Sequence, residues 1–131
     1  MRIFIDTNVL ISAFVFSGKV GKLLEMLFDG GYELLVSDYV DAEFKAKIEE
    51  KWPLKAQKAY SLYRTLPFKF CPSTDIKKGT LRDSKDIPVL SDALFYHADL
   101  ILTGDKDFLA ANLESPLVFS PVMLYDYLIR Q

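Results

Sequence analysis

The sequence contains one cysteine, Cys71, one histidine, His97, and one tryptophan, Trp52, among 131 residues. A single thiol allows no intrachain disulfide, and a zinc site of nitrogen and sulfur ligands has almost nothing to be built from. A reducing cytoplasm is the expected compartment. Apolar runs are short, as at residues 9–11 and 122–125, far below the roughly 20 residues that cross a bilayer. Asp6 puts an acid where a secretory leader would still be apolar, so no export signal is expected. Nor is there an excess of positive charge: 16 Lys and Arg against 18 Asp and Glu leave a net of -2, which argues against holding nucleic acid by bulk electrostatics. Lys45, Lys47, Lys51, Lys55, Lys58 and Arg64 do cluster in the middle third, but such runs are most often solvated helix faces.

What is present suits a packed core. Hydrophobic residues make up 50% and charged residues 26%, so the chain is expected to fold as a single domain over 1–131 and to bury roughly two-thirds of its unfolded surface. No repeat or linker interrupts it. Residues 2–5 form a short β-leaning run that stops at Asp6, after which Val9, Leu10, Ala13 and Phe14 take helical spacing. Val20, Leu23, Leu24, Leu27 and Phe28 mark a second helix with Gly30-Gly31 as its stop. A strand at 33–36 leads to a helix capped by Ser37 or Asp38, striped by Val40, Phe44 and Ile48 and ended by Trp52-Pro53. A helix over 56–66, a strand over 68–71 and a long exposed loop over 72–85 follow. Next come a helix through Val89, Leu90, Ala93, Leu94 and His97, a strand over 100–102, a short helix over 105–111, a strand over 117–119 and a terminal helix from Ser120-Pro121. This alternation predicts an α/β fold, a parallel sheet with helices on both faces.

In such sheets functional groups gather at the carboxyl ends of the strands, where the strand-to-helix loops converge. Those positions are acidic here. Asp6 follows the first strand, Asp105 follows Leu102-Thr103-Gly104 with Asp107 two residues on, Glu43 borders the apolar stripe of its helix, and Asp86 opens the helix before the 100–102 strand. Two like charges 4 Å apart at an effective dielectric of 20 repel by about 4 kcal/mol, so a meeting of four carboxylates needs compensation. Hard oxygen donors suit Mg²⁺ or Mn²⁺. Acids and such an ion at a strand rim are the equipment for hydrolysis at phosphorus. Each acid also has an ordinary reading: Asp6, Asp86 and Asp105 as helix caps, and Glu43 with Lys47 as a surface ion pair.

Four stretches in order, Ile5 through Ala13, Ser37 through Glu43, Arg82-Asp83-Ser84-Lys85-Asp86, and Leu102 through Leu109, resemble the PIN-domain family, most closely its VapC-like toxin branch. The resemblance implies a three-layer α-β-α sandwich around about five parallel strands and a metal-dependent, single-strand-specific endoribonuclease using Mg²⁺ or Mn²⁺. By position it makes Asp6, Glu43, Asp86 and Asp105 the catalytic, metal-holding acids, with Asp83 an alternative to Asp86 as the third. It makes Asn8, Ser37 and Thr103 groups that orient carboxylates or waters, Asp107 an assistant to Asp105, and Arg82, Lys85 and Lys106 contacts to an RNA substrate. A small antitoxin protein encoded separately and a homodimer are the partners it implies, with the helix over 56–66 as the dimer surface.

Two other readings start from the same residues. An Asp after the first strand is also where aspartyl-phosphate-forming phosphatases place their nucleophile, but that pattern wants an acid two residues later, and this chain has Asn8. A catalytically silent module of the same fold, binding RNA or a protein, would keep the scaffold and cleave nothing. His97 reads as a partly buried group beside a helix C-terminus, and Cys71 as a small packed hydrophobe. Tyr60, Tyr63, Tyr125 and Tyr127 are available for stacking on bases or for packing.

Overall fold

The computed structural model describes residues 1–16, 18–73, 86–110 and 115–130, without the side chains of Asp86 and Ile87. Its elements are β1 (Arg2–Ile5), α1 (Thr7–Phe14), α2 (Lys19–Asp29), β2 (Glu33–Ser37), α3 (Asp38–Lys51), α4 (Pro53–Thr65), β3 (Lys69–Cys71), α5 (Asp86–Phe95), β4 (Leu100–Leu102), α6 (Lys106–Ala110), β5 (Leu117–Phe119) and α7 (Pro121–Ile129). The five strands form one sheet in the order β3-β2-β1-β4-β5, every pair parallel. Helices flank it in the α-β-α arrangement expected from the alternation. No helix among the described residues is long and apolar enough to cross a membrane.

The sheet centre is buried on both faces. Ile3, Phe4 and Ile5 of β1, Leu34, Leu35 and Val36 of β2, and Leu100, Ile101 and Leu102 of β4 are all essentially inaccessible, which is why these strands read as continuous apolar runs and not as alternating ones. At the α2–β2 turn Gly30 caps the helix and Gly31 takes φ 81°, a backbone angle open to glycine at little cost.

Ser37, one of two caps expected for α3, is the one used: its hydroxyl accepts from the Val40 N–H at 3.1 Å. The α4 helix begins at Pro53, three residues before the expected start. Trp52-Pro53 stops one helix and starts the next, because proline in the first turn needs no N–H partner. The Ala56, Ala59 and Tyr63 face of α4 is buried in the core, while Leu54 and Leu62 of the same helix are exposed. Tyr63 sits among Phe14, Phe44 and Phe68, with ring centroids 5.7, 5.0 and 5.3 Å away, and so cannot stack on a base. Its hydroxyl donates to Asp41 Oδ1 at 2.8 Å, and Tyr60 donates to the same carboxylate. Burial, with Asp41 beside it, pushes the Tyr63 phenol far above its ordinary pKa.

His97 lies just past α5, exposed and at φ 56°, not half-buried within the helix. The neighbouring contacts, Arg2 to the Tyr96 carbonyl and the Asp99 N–H to the Arg2 carbonyl, put it at the amino end of the sheet. Lys45, Lys51, Lys55, Lys58 and Arg64 are exposed along α3 and α4, as expected of a solvated face.

The aromatic cluster gives a graded test. Tyr63→Ala should cost about 3–5 kcal/mol, whereas Tyr63→Phe, which keeps the ring and leaves Asp41 with Tyr60, should cost about 1 kcal/mol. Urea unfolding of both variants separates the ring from the hydroxyl, and equal losses would mean that the Asp41 hydrogen bond, not packing, holds α3 to α4.

Candidate active site

The strand order reverses at β1: β2 and β3 follow on one side, β4 and β5 on the other. In open parallel sheets the carboxyl ends of the strands at such a switch point are where functional groups gather. Ile5 pairs with Leu102 at the last register position, and the ladder runs one step further, with the Asp6 N–H donating to the Leu102 carbonyl at 3.0 Å. This pairing sets Asp6 beside Thr103.

Asp6 is buried to 6% exposure and caps α1, Oδ1 accepting from the Thr7 N–H at 2.8 Å. Its other oxygen accepts from the Thr103 hydroxyl at 2.7 Å and, at a longer 3.3 Å, from the Asn8 amide. The Thr103 oxygen in turn accepts from the Asp105 N–H at 3.1 Å, and Asn8 Oδ1 accepts from the Gly104 N–H at 2.8 Å. Thr103 and Asn8 thus tie the loop after β1 to the loop after β4. Asp105 caps α6, Oδ1 accepting from the N–H groups of Asp107 and Phe108 at 2.8 and 3.4 Å. Asp107 itself meets Asp105 through its backbone and is exposed, as is Lys106.

Burial pushes the Asp6 carboxyl above its ordinary pKa, against the hydrogen bonds from Thr103 and Thr7, and the charges of Glu43 and Asp105 push the same way. Asp6 therefore lies within electrostatic range of both Glu43 and Asp105. Glu43 reaches it from α3, half-buried, and no ion pair joins it to Lys47 among the described residues. Instead the Tyr39 hydroxyl donates to Glu43 Oε2 at 3.4 Å. Ser37 caps the helix that carries Glu43. Asp86 opens α5 with its side chain outside the described atoms, and Arg82, Asp83 and Lys85 lie outside the described residues. Cys71 is buried at the end of β3, where burial pushes its thiol pKa up.

Among the described residues no three of the acids, His97 and Cys71 stand close enough to ligate one ion. The donors do fit Mg²⁺ or Mn²⁺ in kind: hard carboxylate oxygens, with Asp6 in a position where the charged form gains from a nearby cation. Three features escaped the sequence reading. Tyr39 lies one turn before Glu43, a spacing that could have found it. The Thr7 hydroxyl, next to Asp6, is buried without a hydrogen-bond partner among the described residues. Asp92 is fully buried on α5, at the i+3 position from Val89 within the apolar stripe, where an acid is easily passed over.

The profile of the PIN domain matches residues 2–107. No curated protein matches the sequence. A chain of VapBC2 from Rickettsia felis, in a structure bound to a DNA fragment from their promoter, superposes with TM-score 0.70 at 14% identity, covering 92% of this chain and 98% of that one. A chain of FitAB bound to an IR36 DNA fragment superposes with TM-score 0.61 at 18% identity, covering 91% and 94%.

The raised Asp6 carboxyl has a signed consequence for stability. Between the unfolded value of 3.8 and the higher folded value the native state binds more protons, so the contribution of Asp6 to stability falls as pH rises through that window. In EDTA, Asp6→Asn is expected to be at least as stable as the wild type at about pH 7, with its advantage shrinking as the pH is lowered toward about 4. Denaturant unfolding of both proteins across that range checks this, and a gap that widened on acidification would contradict it.

Proposed function

The chain belongs to the PIN domain family, and on that footing we propose that it is a Mg²⁺- or Mn²⁺-dependent, single-strand-specific endoribonuclease, the toxin half of a toxin–antitoxin pair. The observation that carries the reading is Asp6 seated at the β1–β4 strand ends and held at both oxygens, within electrostatic range of Glu43 and Asp105. A carboxylate fixed by Thr7 and Thr103 keeps its aim when an ion or a phosphate approaches, which is the condition for a preorganised site.

The roles follow from position. Asp6, Glu43, Asp86 and Asp105 would hold the ion, which supplies charge neutralisation on the phosphodiester and a lowered pKa for attacking water. Thr103 and Asn8 keep Asp6 and the 103–105 loop in register. Tyr39 steadies Glu43. Lys106, exposed beside Asp105, and Arg82 and Lys85 would contact RNA phosphates, with Asp83 fixing the loop they occupy or standing in for Asp86. An RNA-binding contribution from these few cations is compatible with the net charge of -2, because local neutralisation needs only a local patch.

VapBC2 and FitAB, the neighbours in fold, are complexes bound to DNA. They support a separately encoded antitoxin as the partner here. Acids at the strand rim suit an arginine from such a partner, since a guanidinium pairs bidentately with carboxylates. The working form is a homodimer, and the compartment is the cytoplasm.

Cleavage of a mixed pool of single-stranded and duplex RNA by the wild type and Asp6→Asn, in Mg²⁺, in Mn²⁺ and in EDTA, tests this. Cleavage of the single strands should need the ion, and Asp6→Asn should lower the rate at least about a hundredfold, equivalent to about 3 kcal/mol of barrier. In a parallel experiment Mn²⁺ should raise the melting temperature of the wild type and leave Asp6→Asn unmoved. A folded wild type that cuts no RNA with either ion would transfer the assignment to a silent binding module.

A further inference from the structure

Tyr63 is sealed in the core, but two rings that lean on it are not. Phe70, the middle residue of the edge strand β3, is 37% exposed, and its ring meets Tyr63 edge-on at 5.8 Å. Tyr60, half-buried on α4, lies 5.4 Å from the same ring. Each carries a cation: the Arg64 guanidinium stands 4.5 Å from the Phe70 centroid and the Lys45 ammonium 5.6 Å from the Tyr60 centroid. Both cations are exposed, and neither forms an ion pair among the described residues. Asp41, the acid beside these rings, is taken up by the Tyr60 and Tyr63 hydroxyls. In a chain of net charge -2, α4 carries Lys55, Lys58 and Arg64 and no acid.

These pairs extend the acidic rim outward. Ser73, two residues past β3, accepts from the Tyr39 N–H at 2.9 Å, and the Tyr39 hydroxyl holds Glu43. Strand β3 lies two places from β1 in the sheet, about 10 Å away, a length that about three stacked nucleotides cover. Past Phe70 and Arg64, a groove of about 360 Å³ between α3 and α4 is lined by Lys45, Gln57, Tyr60 and Ser61. Glu49, one turn beyond Lys45 in the same groove, sets a limit, since a phosphate there would meet like charge. Rings paired with cations are equipment for single strands: a base stacks on the ring or the guanidinium plane while the charge meets the backbone. A duplex cannot use them, because its bases already stack on one another and unstacking costs energy.

We propose that Phe70 with Arg64, and Tyr60 with Lys45, form a base-stacking platform for single-stranded RNA running outward from the acidic rim, and that this platform sets the preference for single strands. This deepens the nuclease reading of the preceding section and rests on it. Fluorescence anisotropy of a short labelled oligouridine in EDTA reads the Kd of the wild type and three variants, with circular dichroism confirming that each is folded. Phe70→Leu, which keeps apolar bulk and removes the ring, should weaken binding about tenfold. Arg64→Lys, which keeps the charge and removes the plane, should weaken it roughly threefold or more, and it carries the test if Phe70→Leu does not fold. Lys55→Ala removes a charge from the opposite side of α4 and should cost no more than about twofold. On an abasic strand of the same length Phe70→Leu and Arg64→Lys should bind as the wild type does, because only phosphates remain to be held. In Mn²⁺ the Phe70→Leu loss should fall on KM and leave kcat unchanged. Variants at Phe70 and Arg64 no weaker than Lys55→Ala, or equally weakened on the abasic strand, overturn the platform and leave the nuclease standing. A wild type that binds single strands through Phe70 and cuts none keeps the platform and overturns the nuclease. One that binds no RNA overturns both.

Discussion

The parallel pairing of β1 with β4 is the constraint on which the rest of the site depends. Two strands far apart in sequence become neighbours because both are apolar enough to be buried on two faces, and sheet order leaves β1 nowhere else to pair on that side. The pairing does not end with the strands. The ladder bond from Asp6 to Leu102 and the hydroxyl bond from Thr103 to Asp6 continue it into the loops, so the sheet itself sets where the carboxylates stand. A shift of one residue in register would turn Ile5 and Leu102 to the other face and carry Asp6 away from Thr103.

Capping and chemistry use the same atoms. Asp6 and Asp105 satisfy the orphan N–H groups of α1 and α6, and by doing so each carboxylate is pinned at one oxygen. The cap is therefore no rival to a functional reading of these acids; it is the means by which an acid at a strand end is aimed. Thr103 adds the connection between them, donating to Asp6 and accepting from the Asp105 backbone. What opposes this arrangement is burial of a charge beside other charges, and the raised Asp6 carboxyl is its trace. A site with this imbalance is poised to take up positive charge.

How far the sequence could be read depended on the range of the interaction. Strands β1, β2 and β4, helix α2 and the start of α7 at Ser120-Pro121 follow from runs and spacings of a few residues, and the structure has them where those patterns put them. The parallel sheet followed from their alternation. Asp6 and Asp105 were visible because each stands directly after an apolar run. Contacts made across the fold were not visible: the Asp41 carboxylate bridging to Tyr60 and Tyr63, or Asp92 buried in the stripe of α5. A helix pattern treats such an acid as a solvated residue, and only tertiary packing says otherwise. His97 went the same way, since its left-handed backbone after α5 is fixed by the return to β4 and not by its own side chain.

The two outermost strands, β3 and β5, are three residues each. Open strand edges are templates on which other chains can extend a sheet, and proteins limit that hazard by keeping them short and placing charge on them. Lys69 on β3, paired with Glu33 of the neighbouring strand, and Arg64 lying over the Phe70 ring do this on one side. Proline at the first turn of α7 ends backbone pairing just past β5 on the other. The molecule can therefore carry a fully apolar sheet interior without offering a long ladder for runaway β-aggregation as it accumulates.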